Sequence, residues 1–317
     1  MLLERAIHEF LIAGRAGGWS AATVHQYGWH LDRWRAWLAE RGVADLDGIS
    51  RSLLREYGAS LADQYEPSTR RVAAVALRSL LNWLAEEEEI AEAKRLASAV
   101  KPPKVPPRVQ RTMELAEVEA MLRACDKPYE AGMTPAQGDA TRLRNAAIVA
   151  VLFDCLLRAS ELCRLDVQHV YLDRRRVLVA GKGGGEALVR FSEATGEYVS
   201  AWLAVRPGYA AAGVQALFTA ITGNAPGQRL TTNGLRIVVR KLGERAGVEN
   251  VSPHAFRRGG AVQAVENGAP DRMLQLHARW AKTDMIETYT RALRADERFD
   301  DYSPMRALNG HGLRVEL

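Results

Sequence analysis

Cysteine is scarce in this chain. There are three in 317 residues, Cys125, Cys155 and Cys163, an odd number with no CxxC spacing. That pattern excludes a disulfide framework and a cysteine-rich metal site, and the three read as reduced, buried residues of an intracellular protein. Long apolar runs are also missing. The longest, Ala146 to Phe153, is far shorter than the roughly 18 residues a membrane span needs. Met1 to Ser20 contains Glu4, Arg5, His8, Glu9 and Arg15, so it does not read as a secretory leader. These absences predict a cytoplasmic protein with no membrane partner. There is no internal repeat, and low complexity is confined to Glu86–Glu89, read as a solvated helix end.

What is present is length and a mild basic excess. A chain of 317 residues with 47% hydrophobic composition buries a sizeable core, and about one domain per 150 residues gives two domains. A net charge of +5 permits a polyanionic partner. The excess is uneven: residues 1–100 hold 12 Lys+Arg against 14 Asp+Glu, leaving 31 against 24 for the rest. Any grip of the front segment on a polyanion must therefore come from one face and not from bulk charge.

Apolar residues at three- and four-residue spacing predict helices over Leu2–Ala13, Ser20–Arg41, Ser50–Gln64 and Ser68–Glu88, with Ser20, Ser50 and Ser68 as N-caps and Gly42 as a stop. Residues 1–100 thus read as a small four-helix domain. Lys101 to Gln110 carries two proline pairs and cannot be helical, so 101–111 reads as an extended basic linker, either a phosphate-tracking strap or a solvated connector. The remainder, 112–317, is helix-rich apart from two β-prone runs, Val177–Ala180 and Ala187–Phe191, around a glycine-filled turn. Helices resume at Thr231–Ala246, Ser252–Asn267, Asp271–His277 and Thr283–Leu293. The expected fold is mainly α with a small β-sheet in the second domain.

Four places carry chemistry. Arg158, in Asp-Cys-Leu-Leu-Arg-Ala-Ser-Glu-Leu, follows a buried apolar helix, so its charge pairs with Glu161 or Asp154 or faces an anion in a cleft. Lys182 lies at the hairpin tip among glycines, where it is either a proton donor to a closely approaching ligand or an exposed turn lysine. In Ser252-Pro-His-Ala-Phe-Arg257, Ser252 caps and Pro253 opens a helix, putting His254 and Arg257 on one face near a helix N-terminus, a setting that favours a phosphate. Trp280 precedes Tyr289 by nine residues, and Tyr289 is either helix packing or, beside converging positive charge, a nucleophile.

Taken in order, Arg158, Lys182, the His254-x-x-Arg257 pair, Trp280 and Tyr289 resemble the catalytic set of the tyrosine recombinase and integrase family, Xer- and Cre-like members included. The resemblance spans residues 112 to about 295 by motif. Residues 1–100 are similar in shape to the family's helical core-binding domain, which makes 112–317 the α+β catalytic domain with its C-terminal tail. It implies a site-specific recombinase that cleaves and rejoins double-stranded DNA through a 3′-phosphotyrosine, without metal, cofactor or ATP. Arg158 and Arg257 would hold the non-bridging phosphate oxygens, and Lys182 would protonate the leaving 5′ oxygen. His254 would assist proton movement, Trp280 would pack beside the phosphate, Tyr289 would attack, and Glu161 would orient one of these partners. The implied assembly is a homotetramer on synapsed DNA sites, with room for a second recombinase or an accessory protein. Its use would be DNA integration, excision or resolution, as a Xer-like resolvase or a mobile-element integrase. A non-cutting DNA-binding relative and a type IB topoisomerase are the competing readings.

The sequence departs from the family at Leu156, where glycine is common, at Gly185 and Ala187, where basic residues are common, and at Arg279-Trp280, where Gly-His is usual. His277, twelve residues before Tyr289, competes with Trp280 for the histidine's place. Gly259-Gly260 inside the His254 helix costs about 1 kcal/mol each relative to alanine, with no sequence-level reason.

Overall fold

Helix boundaries follow capping chemistry in the computed structural model, which describes residues 2–87, 91–106, 110–127, 132–181, 185–281 and 286. The chain separates into two compact units, Met1–Arg108 and Val109–Leu317.

The first unit contains α1 (Leu3–Ala16), α2 (Ala21–Ala39), α3 (Arg51–Ser60), α4 (Pro67–Glu86) and α5 (Ala91–Ala99). Ser20 and Ser50 accept hydrogen bonds from the amides of Thr23 and Leu53, as N-caps do. Ser68 does not cap: Pro67 takes the first helical position, where its fixed φ and missing N–H cost nothing, and Glu66 stands before it. Helix α5 is an addition to the four expected, a short alanine-rich helix hidden from periodicity by the acidic run before it. The core is built from Leu3, Ile7 and Phe10 of α1, Leu31, Trp34 and Leu38 of α2, and Leu77, Leu80, Leu81 and Leu84 of α4.

The second unit contains α6 (Leu115–Cys125), α7 (Pro135–Asp154), α8 (Ala159–Arg164), α9 (Glu193–Val205), α10 (Thr232–Ala246), α11 (Pro253–Glu266) and α12 (Asp271–Ala278). Helix α7 is apolar around its whole circumference from Ala146 to Leu152, and all seven of those residues are buried at the centre of the unit. The sheet has three antiparallel strands, β1 (Val170–Tyr171), β2 (Arg176–Ala180) and β3 (Glu186–Arg190), in that order. The sequence shows only the β2–β3 hairpin, because two residues are too few for a period-2 signal. Val177 pairs with Val189 and both face the core. At the turn end of the hairpin the Gly181 amide donates to the Gly185 carbonyl at 2.6 Å.

The irregular segment between α9 and α10 is held by buried arginines. Arg206 donates to the carbonyls of Ala216 and Val214, each at 2.7 Å, and Arg144 to that of Thr219 at 3.0 Å. Carbonyls that no ladder satisfies are thereby paired. No helix among the described residues is long and apolar enough to cross a membrane.

Candidate active site

The site grows from the junction of α7 and α8. Leu156 there has φ +51°, a left-handed conformation that costs an L-residue about 1–2 kcal/mol. This is the physical reason that glycine suits the position. Here leucine is kept because its side chain, 1% exposed, packs into a cluster with Ala261, Leu274, Ala278 and Trp280. The turn also aims the Leu156 carbonyl at two guanidinium groups, those of Arg257 and Arg279.

Arg158 occupies the cap position of α8 and keeps 44% of its side chain open. Of the two partners expected for it, Glu161 is the one used: Arg158 Nη1 donates to Oε1 at 2.6 Å and the Arg158 amide to Oε2 at 2.8 Å. Asp154 instead accepts from the Ser192 amide at 2.6 Å, joining α7 to the start of α9. Glu161 is buried, and it also accepts from Arg279 Nη2 at 2.9 Å and lies 3.7 Å from Arg257 Nη1. Burial alone would push its carboxyl up. The Arg158 amide, the Arg279 charge and the Arg158 side chain outweigh that and hold it below the ordinary carboxylate range.

Helix α11 brings His254 and Arg257. Ser252 accepts from the Ala255 amide and Pro253 begins the helix, as the sequence predicts. The two side chains differ in exposure more than their i, i+3 spacing implies. His254 is exposed, whereas Arg257 is 1% exposed, because the α7–α8 turn and the end of α12 close over it. Arg257 donates to the carbonyls of Leu156 and Ala278, and its guanidinium stands 5.7 Å from the Trp280 ring. His254 is held below the usual histidine pKa by the partial burial of its ring, then by the charges of Arg258, Arg257 and Arg158. Replacing Arg258 with glutamine removes the charge that acts most strongly of the three. The expected outcome is a rise of the His254 pKa toward its ordinary value, followed by an NMR pH titration of its ring protons; an unchanged midpoint would refute this electrostatic account.

Trp280 is 7% exposed, and its amide donates to the Gln275 carbonyl at 3.0 Å. His277, the rival candidate, makes a 2.8 Å hydrogen bond to the Asp154 carbonyl and so serves the contact between α12 and α7. Lys182, Tyr289 and the helix expected over Thr283–Leu293, Ile286 excepted, lie outside the described residues.

Sequence reasoning passed over Arg279 as a mere replacement of glycine. It too has positive φ, +56°, and its side chain is only 10% exposed, directed at Glu161. The available signal was a charge next to a buried tryptophan, which must find a partner. The double glycine also acquires a reason. A methyl on Gly259 would collide with the Met113 backbone, and one on Gly260 with the Phe153 carbonyl, so the pair lets α11 lie directly against main chain.

In the first unit, Arg33 lies between two rings, 4.9 Å from the centre of Trp29 and 4.6 Å from that of Tyr65, and donates to the Tyr65 hydroxyl. A groove of about 590 Å³ between α3, α4 and the segment after α5 is lined by Arg51, Arg55, Arg70 and Lys101 over an apolar floor. Arg35 is ion-paired with Asp32, and Arg71 reaches the Pro103 carbonyl.

A helical front unit and an α+β unit that gathers three arginines around one carboxylate, with a histidine near two of them, define a phosphate-handling enzyme. Residues 111–296 match the phage integrase family, and residues 9–88 match the phage integrase N-terminal SAM-like domain. The chain is 32% identical over 286 residues to the tyrosine recombinase XerD of Mycobacterium tuberculosis, covering 86% of this chain and 88% of that protein. Its fold is similar to that of a XerH site-specific recombinase bound to palindromic difH substrate (TM-score 0.70, 18% identity, 90% of this chain and 80% of that one). It is also similar to a lambda integrase tetramer bound to a Holliday junction (TM-score 0.63, 14% identity, 91% and 77%). The chain therefore belongs to the phage integrase family of tyrosine recombinases, enzymes that cleave and rejoin DNA.

Proposed function

We propose that this chain is a Xer-like resolvase acting in the cytoplasm, in which Tyr289 attacks a DNA phosphate and forms a 3′-phosphotyrosine. The observation that carries the reading is the convergence of Arg158, Arg257 and Arg279 on the buried carboxylate of Glu161, an excess of positive charge that His254 adjoins. Such a field stabilises both a tyrosine phenolate and the charge that develops on the oxygens of a five-coordinate phosphate.

Arg158 and Arg257 hold the non-bridging oxygens, and Trp280 backs Arg257. His254 accepts the tyrosine proton, and Lys182 donates one to the departing 5′ oxygen. The ester conserves the phosphodiester's bond energy, so the 5′ hydroxyl of a second strand reverses the step with no external energy source. The front unit adds affinity through its basic groove and Arg33. Two duplexes and four protomers make the working assembly, by likeness to the lambda integrase tetramer. Likeness to XerD favours resolution over mobile-element integration.

The test is a nicked duplex built on the sequence that the protein selects from a random-sequence pool. Wild type is expected to give a denaturation-resistant protein–DNA adduct, and Tyr289→Phe none. No wild-type adduct, or one that survives in Tyr289→Phe, overturns the reading.

A further inference from the structure

We propose that Arg279 is a positioning residue for strand cleavage: it saturates Glu161 and bolts the end of α12 to the α7–α8 turn, keeping Arg158 and Arg257 arrayed for the phosphate. The inference rests on the recombinase reading above.

Arg279 sits in a backbone conformation that arginine rarely adopts, φ +56°, where glycine is free of strain. Its retention therefore calls for a return from the side chain. That side chain donates to Glu161 Oε2 at 2.9 Å, to the Leu156 carbonyl at 3.0 Å and to the His277 carbonyl at 2.7 Å. With those three contacts the side chain is committed to protein partners, which makes it part of the frame of the site.

Its two chain neighbours both touch Arg257. The Ala278 carbonyl accepts from Arg257, and the Trp280 ring lies beside the same guanidinium. Arg279 thus fixes the frame in which Arg257 is held. It also decides a competition. Glu161 Oε2 lies 3.7 Å from Arg257 Nη1, beyond hydrogen-bond reach, while Arg279 occupies that oxygen at 2.9 Å. Without Arg279, a buried carboxylate with one fewer partner draws Arg257 toward itself, because opposite charges attract strongly where water is excluded. Arg257 would then neutralise Glu161 instead of the phosphate.

Among the described residues, the charged groups that face Glu161 are Arg158 at the start of α8, Arg257 from α11 and Arg279 after α12. Loss of Arg279 removes one of the two side-chain charges, with that of Arg158, that hold the carboxyl below its ordinary range. Its folded pKa rises, so the carboxylate form, and the ordered site with it, is lost at higher pH as the medium is acidified.

The experiment measures single-turnover adduct formation on the nicked selected duplex, with DNA affinity measured separately. Arg279→Gln is expected to slow adduct formation about 10- to 100-fold at saturating DNA, the scale of a catalytic group displaced by about 1 Å. Affinity should stay within about threefold of wild type, since it is spread over many phosphates. The acid limb of the rate–pH profile should move to higher pH, and Arg279→Lys should recover part of the rate and of the profile. A wild-type rate and acid limb in Arg279→Gln overturn the proposal, as does an affinity loss that matches the rate loss. Should Arg279→Gln fail to melt cooperatively, Arg279→Gly, which removes the same charge and relaxes the backbone, is held to the same criteria. An absent wild-type adduct overturns the recombinase reading itself, which separates the two failures.

Discussion

Arg257→Lys is expected to slow adduct formation by about 1,000-fold, the upper end of what losing one oriented donor costs at a site of developing charge. Arg257 spans two carbonyls from opposite sides, Leu156 and Ala278, with the Trp280 ring alongside. A guanidinium does this with a rigid planar fork, whereas an ammonium is a point charge that cannot hold both partners in that geometry. The Leu156 carbonyl keeps Arg279 at 3.0 Å, but the Ala278 carbonyl loses its donor. Leaving a buried acceptor short costs about 1–3 kcal/mol. The second unit should therefore melt earlier, by about 2–4 °C per kcal/mol. Affinity for the selected duplex should change little. Single-turnover kinetics and calorimetry decide the matter, and a lysine variant within tenfold of wild type would show that the two-point grip is dispensable.

Gly260→Ala is expected to destabilise the second unit by at least about 2 kcal/mol, against the helix-propensity gain of about 1 kcal/mol that alanine brings to a helix interior. The added methyl would overlap the Phe153 carbonyl oxygen and come within 2.6 Å of Leu156 Cδ2. Main chain cannot rotate aside as a surface side chain does, so α11 must shift from α7 and carry Arg257 with it. Gly58, in α3, supplies the control: a Cβ there meets nothing within 4 Å, so Gly58→Ala should stabilise by up to about 1 kcal/mol. Thermal melts of opposite sign are expected. Gly260→Ala melting at or above the wild-type temperature would show that the two helices have room to separate.

These two sites mark where the sequence was legible. The Ser252-Pro-His254-x-x-Arg257 motif announced itself because capping and helical spacing act within four residues. Arg158 and Glu161 were readable for the same reason, as the cap and third position of one short helix. The contacts that complete the site are not local. Arg257 reaches Leu156 across 101 residues, and Arg279 reaches Glu161 across 118. No periodicity carries such information, so Arg279 looked like a lost glycine and Gly259-Gly260 like an unexplained cost.

The sequence by itself determined the class of chemistry: an ordered set of residues whose charges suit a phosphate, on helices whose starts are written in serine, proline and apolar spacing. Tertiary structure decided how that charge is arranged. It folded the left-handed turn at Leu156 under α11, enclosed Arg257 while leaving Arg158 open, and set Arg279 on the buried Glu161. The physical reason is that burial and charge pairing depend on which distant segments meet, and those meetings are fixed only when the core closes.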